Sequence, residues 1–226
     1  MRPVPRAALL FDIDGTLADT DHFHLMAFNE VFGPRGHHFS RERFNLELQG
    51  HANSAIAARF LAGETPERQQ AIMAEKEVAF RRLAQAGLHP MPGLLDLLDR
   101  ADAAGLPYAA VTNAPPANAE LILGSIGIRQ RFRFIVFGDE LEHGKPHPLP
   151  YLEGLRRLGA DKDLTVAFED SPSGMRSATG AGIATIGMLT GQTEAALRDV
   201  GAVMVAADYT EPVLLDFVER RVSASR

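Results

Sequence analysis

The sequence predicts an α/β fold, a doubly wound parallel sheet with a small helical domain inserted after its first strand. Two observations carry this. Short, nearly continuous apolar runs alternate with helix-like segments along most of the 226 residues. The alternation lapses once, between about Thr20 and Leu88, where only helical patterns occur.

The apolar runs lie at residues 7–12 (AALLFD), 107–112 (PYAAVT), 134–138 (FIVFG), 164–168 (LTVAF), 183–187 (IATIG) and 202–206 (AVMVA). Each is short, rich in Val, Ile, Phe or Ala, and continuous rather than alternating. Such runs suit strands covered on both faces, as in a parallel sheet. Between them, residues 93–104 carry Leu94, Leu95, Leu97, Leu98 and Ala101 on one helical stripe and stop at Gly105. Residues 118–126 and 149–158 behave alike, the latter ending at Gly159. Strands alternating with helices make βαβ units. In the interrupting segment, Phe23, Met26, Ala27, Val31 and Phe32 recur at helical spacing before Gly33, and residues 55–61 and 66–86 continue in that style. His89-Pro90-Met91-Pro92-Gly93 is a stiff return. The expected division is therefore 1–19 with 90–226 as the core and 20–89 as the insert.

Composition narrows the function classes. Hydrophobic residues at 46% and charged ones at 23% fit a globular domain that buries its own core. With no cysteine, disulfides, thiolate metal sites and thiol catalysis are excluded. A net charge of −6 argues against nucleic acid as partner. No apolar run approaches the roughly 20 residues that cross a bilayer, and the AALLF near the start is too short for a signal sequence. A cytoplasmic location is the expectation. Lysine occurs only at Lys76, Lys145 and Lys162.

The polar residues at the strand ends carry the chemistry. Asp12-Ile13-Asp14-Gly15-Thr16 follows the first strand, where open α/β sheets place their sites. Alternation puts Asp12 and Asp14 on one side, able to bind Mg²⁺ or to divide nucleophilic and acid work. An Asp-Gly turn is the plainer reading. A calcium loop fails, because its sixth position is Leu17 rather than Gly. Thr112-Asn113 ends the second strand and offers a hydroxyl to a phosphoryl oxygen, or simply starts a turn before Pro115-Pro116. Gly144-Lys145-Pro146 is expected to open a helix, with Lys145 neutralising a phosphate or standing solvated in a loop. Glu169 and Asp170 follow the fourth strand and could complete a hard-cation site, or Asp170 or Ser171 could cap a helix. The eight histidines show no zinc pattern, and no glycine-rich dinucleotide fingerprint is present.

The ordered set Asp-x-Asp-Gly-Thr, Thr-Asn, Lys and Glu-Asp, in the segments FDIDGTLADT, GKPHP and FEDSPSG, resembles the haloacid dehalogenase superfamily over nearly the whole chain. It is most similar to the group containing phosphoglycolate phosphatase and β-phosphoglucomutase. The resemblance implies a Rossmann-like core under a helical cap and Mg²⁺-dependent hydrolysis of a small phosphorylated metabolite. It implies Asp12 as nucleophile, Asp14 as general acid and base, and Thr112 and Lys145 on the phosphoryl oxygens. It implies Mg²⁺ on Asp12, the Asp14 carbonyl and Asp170, with Glu169 either a direct ligand or supporting one from behind. Gly15, Asn113, His24, Gln49, Gly50 and Asn53 would meet substrate, His24 matching the mutase's hinge histidine. A monomer or weak dimer, with no nucleic acid or membrane partner, is expected.

The same residues separate the relatives. Intact Asp14 and Asp170 speak against dehalogenation. A phosphonatase replaces the second aspartate and uses a cap lysine, whereas here the only candidate, Lys76, is expected to lie far from the hinge. A β-phosphoglucomutase grips a second phosphate with a lysine and an arginine where this chain has the neutral Gln49 and Asn53, so hydrolysis is favoured over the mutase. A binding protein without turnover would have lost a motif aspartate, and none is lost.

Overall fold

A computed structural model of the protein describes residues 6–85 and 87–223. Six parallel strands, β1 (Ala8–Phe11), β2 (Tyr108–Thr112), β3 (Ile135–Phe137), β4 (Thr165–Glu169), β5 (Ala184–Met188) and β6 (Met204–Ala206), form one sheet in the order β3-β2-β1-β4-β5-β6. All six expected strands form. The order reverses direction beside β1, so the crevice between the β1 and β4 ends is the switch point at which doubly wound sheets bind ligands.

Side-chain alternation along β1 explains why both sheet faces are dry. Leu9 and Phe11 enter one core layer, with Leu94, Leu97, Ala119, Ile122 and Leu214 from helices α5 (Leu94–Ala103) and α6 (Pro116–Ser125) and the C-terminal helix (Pro212–Ser223). Ala8 and Leu10 enter the other, with Tyr151, Leu155 and Ala178 from α7 (Leu149–Leu158) and α8 (Pro172–Gly180). Burial of these continuous apolar strands on two sides is the main force holding the sheet. Phe11 stacks on Phe168 at 4.7 Å, tying β1 to β4 directly beneath the crevice.

The insert is wholly helical among its described residues: α1 (Asp21–Phe32), α2 (Arg41–Glu47), α3 (Asn53–Phe60) and α4 (Pro66–Ala84). The Thr65 hydroxyl caps α4 by accepting from the Arg68 amide, and Pro66 occupies its first position. The expected end of this helix at Ala86 lies outside the described residues. The two chain crossings into the cap run side by side, because the Met91 amide donates to the Leu17 carbonyl at 2.9 Å and Ala18 forms an antiparallel bridge with Pro90.

Three local expectations are corrected. Met26 and Leu95, assigned to apolar stripes, are 46% and 41% exposed, since each lies at the edge of its helix's buried arc. Lys145 does not open a helix. Pro146 and Pro148 hold the chain in a turn, and α7 starts only at Leu149.

Candidate active site

The β1 ladder runs one residue past the strand: the Asp12 amide donates to the Phe168 carbonyl at 3.0 Å. This sets Asp12 beside Glu169 and Asp170 at the end of β4, and one carboxylate oxygen from each of the three lies within 4.8 Å of the others. The motif then turns at Gly15, whose φ of +73° suits glycine, and a Cβ there would collide with the Asp170 carboxylate. Gly15 therefore shapes the turn, its carbonyl accepting from the Thr190 hydroxyl at 2.7 Å, and does not line the cleft as expected of a substrate contact.

Lys145 reaches this acidic group from the turn before α7. Its ammonium lies 2.5 Å from Asp12 Oδ1 and 2.6 Å from Glu169 Oε1. Asn113 fixes the turn with its side-chain amide, accepting from the Lys145 amide at 3.0 Å and donating to the Lys145 carbonyl at 3.1 Å. It lines the cleft, but its amide serves Lys145 rather than standing free for a substrate. The Thr112 oxygen accepts from the Ala114 amide at 2.9 Å, leaving its hydroxyl proton to donate into the cleft.

Lys145 pairs with two of these three buried acids, and burial is the largest influence on the ionisation of Asp12 and Asp170. Desolvation pushes Asp12 up to about 8 against the opposing pull of Lys145. Asp170 is raised well above the carboxylate range by burial and then by Asp21, Asp12 and Glu169. Glu169 Oε2 is buried with no partner among the described residues. An all-oxygen donor set of this charge, with an orphaned lone-pair donor, fits a hard divalent cation such as Mg²⁺.

Asp14 belongs to a different network. Its Oδ1 accepts from the Thr20 hydroxyl at 2.8 Å and lies 2.9 Å from His24 Nε2. Burial alone would raise this carboxyl, but the His24 and Thr20 bonds and the charge on Lys76 outweigh it and lower it. On the far side of the ring, Lys76 Nζ sits 3.0 Å from His24 Nδ1. An ammonium only donates, so Nδ1 accepts and Nε2 carries the proton toward Asp14. Burial and then Lys76 keep the imidazole neutral, and it stacks on Phe80 at 3.8 Å. The expectation that Lys76 lies far from the hinge is corrected: packing of α4 against α1 brings it onto the hinge histidine.

The remaining cap residues are tied to one another and to the core. Glu77 lies 3.0 Å from Lys76 Nζ, accepts from Asn53 at 2.7 Å and from Asn118 on α6 at 2.6 Å. These contacts overcome its burial and hold it down at about 2. Asn53 lines the cleft as expected, already donating to Glu77. Gly50 (φ +71°) lets the cap loop pass so close to Ser171 that a Cβ would sit 2.6 Å from it. The Gln49 amide donates to Asp21 at 3.1 Å and Asp170 at 2.9 Å and accepts from Gln192 at 2.5 Å. Expected as a substrate reader, Gln49 is fully engaged as a bridge from cap to core. Asp21, Glu77, Asn118, Tyr151 and Gln192 also belong to the site. Only Gln192 lies in a loop after a strand, and no local sequence pattern marks any of them. The cleft between cap and core encloses a small cavity of about 100 Å³ that opens to solvent.

The ionisation pattern makes a stability prediction. Asp12 near 8 and Asp21, raised by burial to about 7, both titrate near 4 when unfolded. Between those values the folded protein holds protons that the unfolded chain releases, so stability falls as pH rises. Glu77, near 2, is ionised throughout and adds no slope. The Tm of the metal-free protein is therefore expected to be higher at pH 6 than at pH 8, and Mg²⁺ to raise Tm more at pH 8. A thermal scan in EDTA whose Tm climbs over that interval would contradict the assignment.

Comparison with known proteins agrees with this geometry. Residues 9–188 match the family model described as haloacid dehalogenase-like hydrolase. Protein CbbY of Rhodobacter capsulatus is 34% identical, the match covering 79% of this chain and 83% of that one. Fructose-1-phosphate phosphatase YqaB of Escherichia coli is 31% identical over 78% and 93%. The crystal structure of CbbY from Rhodobacter sphaeroides with xylulose-(1,5)bisphosphate superposes with a TM-score of 0.78 at 31% identity, covering 90% and 95%.

Proposed function

The chain belongs to the haloacid dehalogenase-like hydrolases and is a phosphatase of that family, and we propose that it hydrolyses a small phosphate monoester through an aspartyl-phosphate on Asp12, with Mg²⁺ as cofactor. The observation that carries this is the single cleft in which Asp12 touches Lys145 at 2.5 Å while Asp14 is held apart by Thr20 and His24. Two carboxylates in unlike surroundings suit unlike roles.

In the first half-reaction an oxygen of Asp12 in its ionised form bonds to phosphorus in line as the ester bond breaks, and the departing oxygen takes the Asp14 proton. Asp14 rests ionised, so it takes up that proton when the anionic phosphoryl group enters and raises its affinity for one. In the second half, ionised Asp14 removes a proton from water, whose oxygen displaces Asp12 from phosphorus. Lys145 and the Thr112 hydroxyl hold phosphoryl oxygens and offset their charge throughout. Asp12, Glu169, Asp170 and the Asp14 carbonyl would hold Mg²⁺. A bound Mg²⁺ supplies positive charge against the phosphoryl oxygens. The cap, bridged to the core through Gln49 and Asn118, shields the site from bulk water.

For the leaving group, an uncharged sugar or polyol is favoured, since Asn53, Asn118 and His51 are neutral amides and an imidazole. The second reading is a bisphosphate, as bound by the Rhodobacter sphaeroides relative, or a mutase that would need two phosphate grips. Lys76 in the cleft wall favours it, but the Glu77 carboxylate 3.0 Å away offsets that charge. The working unit is taken as a monomer or weak dimer acting on free metabolites, without nucleic acid or membrane; no described helix is long and apolar enough to cross a bilayer.

The test is phosphate release from a panel of sugar, polyol and bisphosphate esters with Mg²⁺ and with EDTA. Metal-dependent turnover that ranks neutral leaving groups first is expected. Preference for bisphosphates would shift the assignment to the second reading. Turnover undiminished by EDTA would remove the metal from the mechanism.

A further inference from the structure

Glu169 and Lys145 share a neighbour that the mechanism above leaves unused. Tyr151, the third residue of α7, is 0% exposed and packs among Leu10, Val111 and Ala167 beneath the sheet. Its hydroxyl donates to Glu169 Oε1 at 2.6 Å, the same oxygen that accepts Lys145 at 2.6 Å. The Lys145 ammonium stands 5.4 Å from the centre of the Tyr151 ring, within cation–π range. Glu169 Oε1 thus takes two strong donors, while Oε2 takes none.

Resting on the phosphatase reading, we infer that Tyr151 is a positioning residue: its hydroxyl holds Glu169 in one orientation and so divides Lys145 between Glu169 and the nucleophile Asp12. The argument is one of competition for a cation. A carboxylate that accepts a short bond from a buried hydroxyl has less charge left for the ammonium beside it. Without that hydroxyl, Glu169 draws Lys145 away from Asp12, and its carboxylate is free to rotate out of the acidic group. Nothing else in the described residues could replace the bond, since Tyr151 and Lys145 are the only hydrogen-bond partners of the Glu169 side chain. The ring fills the core and fixes where the hydroxyl lies, so packing and positioning are separable by one atom.

Tyr151→Phe removes that atom and keeps the volume. Expected is a fall in kcat of about tenfold with KM for the ester changed less than threefold, and Mg²⁺ affinity weakened about tenfold. Mg²⁺ affinity is read by calorimetry on the substrate-free protein, so it does not depend on turnover. Leu158→Val, which loosens the same helix away from the site, serves as control: it should lower Tm and leave kcat and Mg²⁺ affinity unchanged. If Tyr151→Phe binds Mg²⁺ and turns over as the wild type does, or loses both only as Leu158→Val does, Tyr151 is a packing residue and the inference is overturned. Should the wild type release no phosphate from any ester, the phosphatase reading fails, and the calorimetric comparison still decides the role of Tyr151.

Discussion

Asp12→Asn is expected to lower phosphate release by roughly 10⁴-fold or more while leaving the protein folded. The substitution keeps the shape and one acceptor for the Lys145 ammonium, but an amide oxygen does not form the acyl-phosphate bond. Stability should not suffer, because the native Asp12 side chain is already disfavoured as a buried anion, its carboxyl pushed up to about 8 chiefly by desolvation. The measurements are phosphate release, circular dichroism and intact-protein mass after brief exposure to substrate. The wild type should show a phosphoryl adduct and the variant none. Full activity in Asp12→Asn would sink the covalent mechanism whatever the substrate proves to be.

Lys145→Met should cost about a thousandfold in kcat and destabilise the metal-free protein as well. The ammonium is buried, within 2.5 and 2.6 Å of two carboxylates that are themselves buried. Removing one partner of such a group leaves its counter-charges unpaired, a change worth about 3–5 kcal/mol when they stay ionised. Asp12 escapes part of that cost by taking up a proton, so the loss of Tm should be larger at pH 8 than at pH 6. Mg²⁺ should recover part of the stability and little of the activity, since it balances the acids without replacing the donor on the phosphoryl group. A variant whose Tm falls equally at both pH values would show that Lys145 is not balancing ionised acids.

The contrast between what the sequence reveals and what it hides has a physical basis. Strands such as 165–169 are legible because a strand covered on both faces must be apolar throughout. The residue that ends such a run, as Asp12 and Asp170 do, stands out by its polarity alone. Lys76 and Asn118 are illegible for the opposite reason. Each sits on a helix whose pattern is explained by its buried stripe, and their partners arrive from 52 and 41 residues away. Gln49 and Asn113 line the cleft as expected, but the sequence does not reveal the bonds that they make to the protein itself. An amide can serve a substrate or the protein's own backbone and carboxylates equally well, and which of these it does depends on residues distant in the chain.

The paired crossings at Leu17–Met91 and Ala18–Pro90 also bear on how the chain folds. Strand β1 must find β2 across roughly a hundred residues, a long loop to close. The intervening helices pack chiefly on one another, α1 against α4, and can assemble before the sheet closes. Once they do, both ends of the segment emerge at one place, within a single bridge of each other. The cap then acts as a clip that shortens the effective loop, and pairing of the first two strands becomes a near-neighbour event. By this logic, mutations that melt the α1–α4 packing should slow refolding of the sheet, even though no residue of that helix pair belongs to it.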